Sequence, residues 1–141
     1  MKVKQEHHWK LSDAQFEADF ADGSLPLPWF THQAHIRLAW IQIKNYGLEQ
    51  ATENIRKQII QFATAAGQPN KYHETITIAS ILMVAHFMKG DDAANSEAFI
   101  KAHPSLQQDF KELIKSHYSQ DIFSDPNARK IFIEPDLAPF D

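Results

Sequence analysis

The chain has 141 residues, a formal net charge of −4, eight histidines and no cysteine. A hydrophobic fraction of 43% and a charged fraction of 23% are typical of a globular protein, and the length favours a single domain over residues 1–141. Nucleic acid is not an expected partner, because the sequence has only three arginines and no basic run that would bind phosphates. Without cysteine, any transition-metal site must be built from histidine and carboxylate side chains.

The sequence shows no feature of export or of membrane anchoring. Residues 1–10 lack the apolar centre of a signal peptide, and no later stretch is long and apolar enough to cross a bilayer. We therefore expect a cytoplasmic protein without a membrane partner. We also expect residues 1–10 to be irregular and partly mobile, with His7 and His8 facing solvent.

Capping residues and glycines delimit the first three predicted helices. Ser12 can cap a first helix that ends at Gly23, and Thr31 can cap a second helix that stops at Gly47. A third helix over residues 48–66 carries an apolar stripe with charged residues opposite. Residues 12–66 are therefore predicted to be helical apart from short connections.

The stretch over residues 72–89 is expected to form the buried centre of the protein. From Ile76 onward it is apolar on nearly every side, which is typical of a helix enclosed by others. Asn70 is a suitable cap for this helix. The polar cluster Tyr72–Thr75 then lies where a buried helix begins, and burying an imidazole and a carboxylate there is costly unless they have partners.

Three further helices and an extended tail complete the predicted fold. A short helix is expected over residues 96–102, a longer one over residues 105–117 capped by Ser105, and a last short one from Pro126. Residues 131–141 alternate apolar residues with prolines and are expected to lie extended. The prediction is an all-α, single-domain bundle of five or six helices around the buried central helix.

Two histidines on the second helix point to a metal site. Helical periodicity places His32 and His35 on one side, expected to face the core, and Gln33 and Arg37 on the opposite side. Inward-facing ligand pairs at i and i+3 are how helical bundles build metal sites. With His73 from the central helix, three histidines would suit Zn²⁺, whereas two histidines and a carboxylate would suit Fe(II). We therefore predict His32, His35 and His73 as ligands of a divalent metal.

Glu74 is expected to act beside this metal rather than to bind it. Adjacent helical residues diverge by about 100°, so Glu74 and His73 cannot easily reach one ion. Glu74 would instead orient a histidine or act as the general base on a bound water. Thr77 and Ser80 share the helical face of His73 and would extend a polar lining into the core.

Several short motifs resemble those of a family of small, uncharacterised bacterial proteins. The resemblance covers nearly the whole chain after Ser24. The matching motifs are Trp29-x-Thr31-His32-x-x-His35, Leu38-Ala39, Tyr72-His73-Glu74-Thr75-x-Thr77, His103-Pro104, Tyr118-Ser119, Phe123-Ser124, Ala128-Arg129 and Glu134-Pro135-Asp136-Leu137. It implies that Arg129 joins His32, His35, His73 and Glu74 in one site. It also argues against His117 as a ligand, since relatives carry an aromatic residue at that position.

The function expected from these residues is that of a divalent-metal-dependent enzyme acting on a small organic substrate. Hydrolysis is the default chemistry, because a metal-bound water needs no further catalytic group. Glu74 would be the base or would orient a ligand histidine, and Tyr72 or Arg129 would contact the substrate. The alternative is a non-enzymatic ligand-binding or interaction protein, in which the His/Glu cluster is a structural hydrogen-bond network.

Overall fold

The computed structural model describes residues 6–140, and within them the chain forms eight α-helices and no β-strand. The all-α prediction is confirmed. None of these helices is long and apolar enough to span a bilayer. The helices are α1 (Asp13–Asp22), α2 (His32–Tyr46), α3 (Leu48–Ala65), α4 (Glu74–Met88), α5 (Ser96–Ala102), α6 (Ser105–Gln108), α7 (Phe110–Lys115) and α8 (Pro126–Lys130). Three short 3₁₀ helices lie at His7–Lys10, Leu27–Trp29 and Pro69–Lys71.

Eight helices are observed where five or six were expected, and one of the additional helices arises because the helix predicted from residue 105 is broken. Asp109 adopts φ −123° and ψ 24°, and this separates α6 from α7. Ser105 does not cap this region, since Pro104 holds the N-cap position and forms no side-chain cap. The chain therefore changes direction between two short helices where one longer helix was expected.

The first helix boundaries follow the predicted capping chemistry. The hydroxyl of Ser12 accepts a hydrogen bond from the Gln15 N–H at 3.1 Å, and that of Thr31 accepts one from the Ala34 N–H at 3.2 Å. Gly47 joins α2 to α3 at a φ of 83°, a conformation that residues with a side chain rarely adopt. The direct α2–α3 turn places these two long helices side by side.

α2 has more buried residues than α4, the helix that was expected to form the buried centre of the protein. Nine of the fifteen residues of α2 are buried, compared with five of fifteen in α4. α1, α3, α4, α5 and α6 all pack against α2. α4 instead uses part of its apolar surface to line a cavity, so many of its side chains are only partly buried.

The segment before α1 covers one side of α2, which corrects two expectations. His8 is fully buried and hydrogen-bonds to Gln33, whereas His7 is exposed as expected. Arg37 is 2% exposed and donates to the Asp13 carboxylate, with its guanidinium about 4.5 Å from the Trp9 ring centroid. Gln33 and Arg37 therefore face a protein layer and not solvent. Residues 1–5 lie outside the described part of the chain.

The C-terminal segment after α8 is non-helical, as expected, and crosses the start of α4. The Thr75 hydroxyl donates to the Ile131 carbonyl at 2.9 Å and accepts from the Ile133 N–H at 3.0 Å. The Tyr118 hydroxyl also donates to the Ile133 carbonyl, at 2.7 Å. These hydrogen bonds hold the tail against the helix end at which the predicted site begins. Asp141 lies outside the described residues.

Candidate functional site

A cavity of about 570 Å³ lies between α2, α3 and α4, and α7 and α8 contribute to its edge. This volume is within the range of about 300–1,000 Å³ that is usual for small-molecule sites. Its apolar wall is formed by Ile36, Leu38, Ala39, Ile55, Ile59, Ile76, Ile81, Val84, Phe110 and Phe123. Its polar lining is formed by His32, His35, Lys71, Tyr72, His73, Thr77, Ser80 and Arg129. Every residue predicted for the site except Glu74 therefore lines this single cavity.

His35 is held by the backbone in one tautomer. Its Nδ1 lies 2.7 Å from the Thr31 carbonyl oxygen, which can only accept, so Nδ1 carries the proton. The ring also stacks on Phe30, with centroids 3.8 Å apart. Nε2 is left as a lone-pair acceptor, and it makes no hydrogen bond within residues 6–140. His35 thus offers a fixed, neutral nitrogen at the cavity.

The environment of His35 keeps its imidazole uncharged. The ring is accessible from the cavity, but the protein around it removes most of the solvation that a charged imidazole would need. This desolvation, with a smaller repulsion from His32, lowers the pKa of His35 to about 4. The hydrogen bond to Thr31 opposes the shift without cancelling it. His35 is therefore neutral at pH 7.

His32 is oriented in a similar way by a different element. Its Nε2 donates to the Leu106 carbonyl oxygen at 3.0 Å, and its ring packs edge-on against Phe110. In the described part of the chain, Nδ1 of His32 has no hydrogen-bond partner. Both histidines of α2 therefore anchor one nitrogen on a carbonyl and keep the other as an acceptor. Metal-binding histidines and histidines that accept protons are commonly held in this way.

His73 lines the same cavity but has both ring nitrogens occupied. Nδ1 accepts the Ile76 N–H at 3.1 Å, so His73, and not Asn70, is the N-cap of α4. Nε2 donates to the Ile122 carbonyl oxygen at 3.0 Å. Desolvation, and to a lesser extent Arg129, lower the pKa of His73 and favour the neutral ring that this bonding needs.

The three predicted metal ligands do not form a metal-binding group. Across residues 6–140, no set of three or more histidine, cysteine, aspartate or glutamate side chains is placed to hold an ion. The convergence expected for His32, His35 and His73 is therefore not observed. The physical reason is that both ring nitrogens of His73 already make hydrogen bonds, one that caps α4 and one to the loop before α8.

Glu74 lies outside the cavity lining and acts on it through Tyr72. The Tyr72 hydroxyl donates to the Glu74 carboxylate, and Arg56 binds the same carboxylate with a closest distance of 2.7 Å. Burial and the bond to Glu74 raise the pKa of Tyr72, so its phenol remains protonated. Glu74 thus orients Tyr72 and has no contact with the cavity as a base. Sequence reasoning missed Arg56, because it lies on a different helix with no motif around it.

The remaining cavity residues include one that sequence reasoning missed. Thr77, Ser80 and Arg129 line the cavity, and the Arg129 Nη2 donates to the Asn70 carbonyl oxygen at 2.6 Å. Lys71 lines the cavity beside them and was not identified from the sequence. Its place in a 3₁₀ turn before α4 gives no helical periodicity from which its direction could be inferred. Its position directly before Tyr72 was the one available signal.

A second, smaller pocket of about 200 Å³ adjoins the cavity. It shares with the cavity His35, Ile59, Lys71 and Tyr72. The rest of its lining is mainly apolar and consists of Leu27, Phe30, Phe62, Ala63, Ala66 and Gln68. His35 and Tyr72 therefore lie at the boundary between two connected apolar spaces, where a bound molecule can contact them from either side.

Comparison of the chain with protein-family models, with curated proteins and with solved structures found no match. The resemblance to the bacterial family, and the site roles that it implies, stay predictions. The chemistry of the cavity is therefore argued from its own side chains.

Proposed function

We propose that this protein binds a small organic molecule in the cavity between α2, α3 and α4. The observation that carries the proposal is a mostly apolar cavity of about 570 Å³ with His32 and His35 at its lining. Such sites bind ligands by apolar burial and orient them with a few polar groups. The free acceptor nitrogens of the two histidines are suited to a hydroxyl or N–H of the bound molecule.

A variant that fills the cavity tests this function. Ser80 lines the cavity, and among residues 6–140 its hydroxyl bonds only to the Ile76 carbonyl of its own helix. The larger side chain of Ser80→Phe would therefore fill part of the cavity without removing a hydrogen bond between helices. Ser116 has a comparable bond within its own helical segment, to Leu113, but is exposed elsewhere on the surface, and Ser116→Phe is the matched control.

The probe is N-phenyl-1-naphthylamine, a neutral dye that fluoresces in apolar surroundings. We expect saturable fluorescence with the wild type and with Ser116→Phe, and loss of most of it with Ser80→Phe. Equal fluorescence from all three proteins, or none from the wild type, would overturn the proposal. Circular dichroism of each variant establishes that it is folded before the titration is interpreted.

A metal-dependent enzyme of the hydrolase type is the second candidate, supported by the carbonyl-anchored histidines of α2. His32 and His35 present one acceptor nitrogen each, in the manner of metal ligands whose other nitrogen is fixed by a carbonyl. In this second candidate, the two histidines would hold a divalent ion such as Zn²⁺ or Fe(II), and water and the substrate would supply its other ligands. The ion would activate a bound water or polarise the substrate.

Metal content distinguishes the two candidates. Equilibrium dialysis against Zn²⁺, and against Fe(II) under anaerobic conditions, should give about one equivalent for the wild type if the enzyme proposal holds. His35→Ala should abolish that equivalent, whereas His86→Ala should keep it, because His86 is exposed and does not line the cavity. Identical metal content in the wild type and His35→Ala would remove the metal-dependent candidate and leave ligand binding in place.

A further inference from the structure

We propose that the molecule bound in the cavity is an organic acid, whose carboxylate pairs with Lys71 and Arg129 while its apolar body fills the interior. This inference rests on the proposed function, since it names the chemical class of the ligand for the same cavity. It is carried by the distribution of charge around the cavity and by the partners of the two cations.

The cavity lining is positively charged in a protein that is negatively charged overall. The formal net charge of the chain is −4, yet the charged side chains at the cavity are Lys71 and Arg129. Among residues 6–140, no aspartate or glutamate lines this space. An anionic group that enters the cavity therefore meets attraction from both cations and direct contact with no carboxylate.

Arg129 lies beside the backbone turn that carries Lys71, and neither cation has a carboxylate partner among residues 6–140. Arg129 binds the carbonyl of Asn70, the residue directly before Lys71, and this places the guanidinium beside the backbone of the Lys71 turn. In the part of the chain that the structure describes, neither cation lies within 4.0 Å of a carboxylate. The nearby Asp125 uses its carboxylate to cap α8 and to accept from Gln120.

Other arginines of this protein show what a structural role looks like. Arg37 pairs with Asp13 at 2.9 Å, and Arg56 pairs with Glu74 at 2.7 Å. Within residues 6–140, Arg129 instead has a single hydrogen bond, to a carbonyl, and the rest of its guanidinium donors have no partner there. Arginine binds carboxylates through two parallel N–H donors, so an organic acid would complete the geometry that the protein leaves open.

The other polar groups of the cavity lining set the orientation of the acid. Nδ1 of His35 carries the proton, so its Nε2 is an acceptor, and a carboxylate beside that lone pair would be repelled. The carboxylate is therefore expected at Lys71 and Arg129, which are exposed at the edge of the cavity. The apolar body of the acid would then lie against the walls formed by α2, α3 and α4.

A pair of probes that differ only in charge tests the inference. 4-Phenylbutyrate and 4-phenylbutanamide have the same shape, and the dissociation constant of each is measured by NMR titration of the ¹⁵N-labelled protein. We expect the acid to bind about tenfold more tightly than the amide. Arg129→Gln and Lys71→Gln should each weaken binding of the acid by about three- to tenfold and leave the amide unchanged, because each removes one exposed ionic contact.

Lys130→Gln is the matched control for charge. Lys130 follows Arg129 on α8, is exposed and does not line the cavity, so its removal changes the net charge equally but should not affect either probe. Weakening by Lys130→Gln equal to that by Arg129→Gln would mean a long-range charge effect and would overturn the inference. Equal affinity of the acid and the amide for the wild type would overturn it as well.

The outcomes separate this inference from the proposed function. If the acid and the amide bind equally and Ser80→Phe abolishes both, the cavity binds small molecules but does not select acids. If neither compound nor the neutral dye binds, the proposed function fails, and the inference fails with it. Lys71→Gln keeps the test decisive even if Arg129→Gln disturbs folding, because the Lys71 side chain makes no ion pair with any of residues 6–140.

Discussion

Two sides of α2 carry polar residues of similar chemistry in opposite situations. On one side, Arg37 donates to Asp13 and to the carbonyls of His8 and Leu11. On the other side, His32 and His35 each bind one carbonyl and keep one nitrogen free toward a cavity. The first side is closed by protein, whereas the second is left open. On the open side the two histidines line a cavity of the size that small molecules occupy, so this is the side for which a ligand is proposed.

The closed side should be the more important for stability. Gln33 completes it, since its side-chain oxygen accepts from Trp9 at 2.6 Å and its amide donates to Gln107 at 3.3 Å. Removing one partner of a buried ion pair leaves the other partner buried and unpaired, which lowers stability. Removing a polar side chain that already faces a cavity lowers stability less. The difference between the two sides can therefore be measured by substitutions on each.

The largest expected effect is from breaking the closed side at Arg37. Arg37→Met should lower the free energy of unfolding by about 2 kcal/mol, because it leaves the buried His8 carbonyl, the partly buried Leu11 carbonyl and the Asp13 carboxylate without their donor. Urea denaturation followed by circular dichroism measures this change. A loss below about 1 kcal/mol would mean that the network contributes little, as surface ion pairs do.

Acidification should destabilise the protein through histidines on both sides. The pKa values of His8, His35 and His73 are all lowered, chiefly by desolvation, so the unfolded chain binds more protons than the folded one between the ordinary histidine pKa near 6.5 and the lower folded values. Stability is then complete above about pH 6.5 and falls as the pH decreases toward 4. The urea midpoint should fall steadily from pH 7 to pH 5.

A variant at His35 tests how much of this pH dependence comes from that histidine. His35→Gln removes the group whose pKa is lowered to about 4, so the midpoint should fall less steeply with decreasing pH than in the wild type. His86→Gln, at an exposed position, is the control and should leave the slope unchanged. A slope that is the same in wild type and His35→Gln would show that His35 titrates normally.

His35→Gln should also separate stability from binding on the open side. At pH 7 we expect a loss of about 1 kcal/mol in the free energy of unfolding, from the bond to Thr31 and the stacking on Phe30. The binding free energy of N-phenyl-1-naphthylamine should decrease by more than the roughly 1 kcal/mol that is lost in the free energy of unfolding. A variant that lost several kcal/mol of stability would instead place His35 among the structural residues.

The smallest expected effect is at the support of Tyr72. The Arg56 side chain is 38% exposed, so Arg56→Gln should cost only about 0.5 kcal/mol of stability. It should nevertheless weaken ligand binding about twofold, because Glu74 would hold the Tyr72 hydroxyl less firmly. Tyr72→Phe should produce a similar change in binding. Unaltered binding in both variants would exclude the Tyr72 hydroxyl from contact with the ligand.

Local sequence signals predicted the helices well but not which side of α2 is enclosed. Caps such as Ser12 and Thr31 act within one turn, so they are visible in the sequence. The burial of Arg37 depends on the segment around His8, which lies 29 residues earlier in the chain. Periodicity gives the angle of a side chain about its helix but not what packs there, so it placed Arg37 opposite the core-facing histidines without showing that this side is also enclosed.

The cavity was partly predictable for the same reason. The shared face of Thr77 and Ser80 follows from helical spacing, and both residues line the cavity together with His32 and His35. The role of His73 was not predictable, because its partner carbonyl at Ile122 is 49 residues away. Glu74 was assigned to the site by its motif, whereas its actual partner, Arg56, belongs to a helix earlier in the chain.

The bond between His73 and Ile122 has a consequence for the order in which the protein matures. During synthesis, α2, α3 and α4 leave the ribosome before Ile122, Phe123 and Arg129 exist, so the apolar interior is at first open on one side. His73 can accept from Ile76 at once, but it acquires its carbonyl partner only when the last fifth of the chain arrives. A nascent chain that ends before this point presents an unsealed apolar surface, a form that chaperones recognise and that a finished molecule no longer displays.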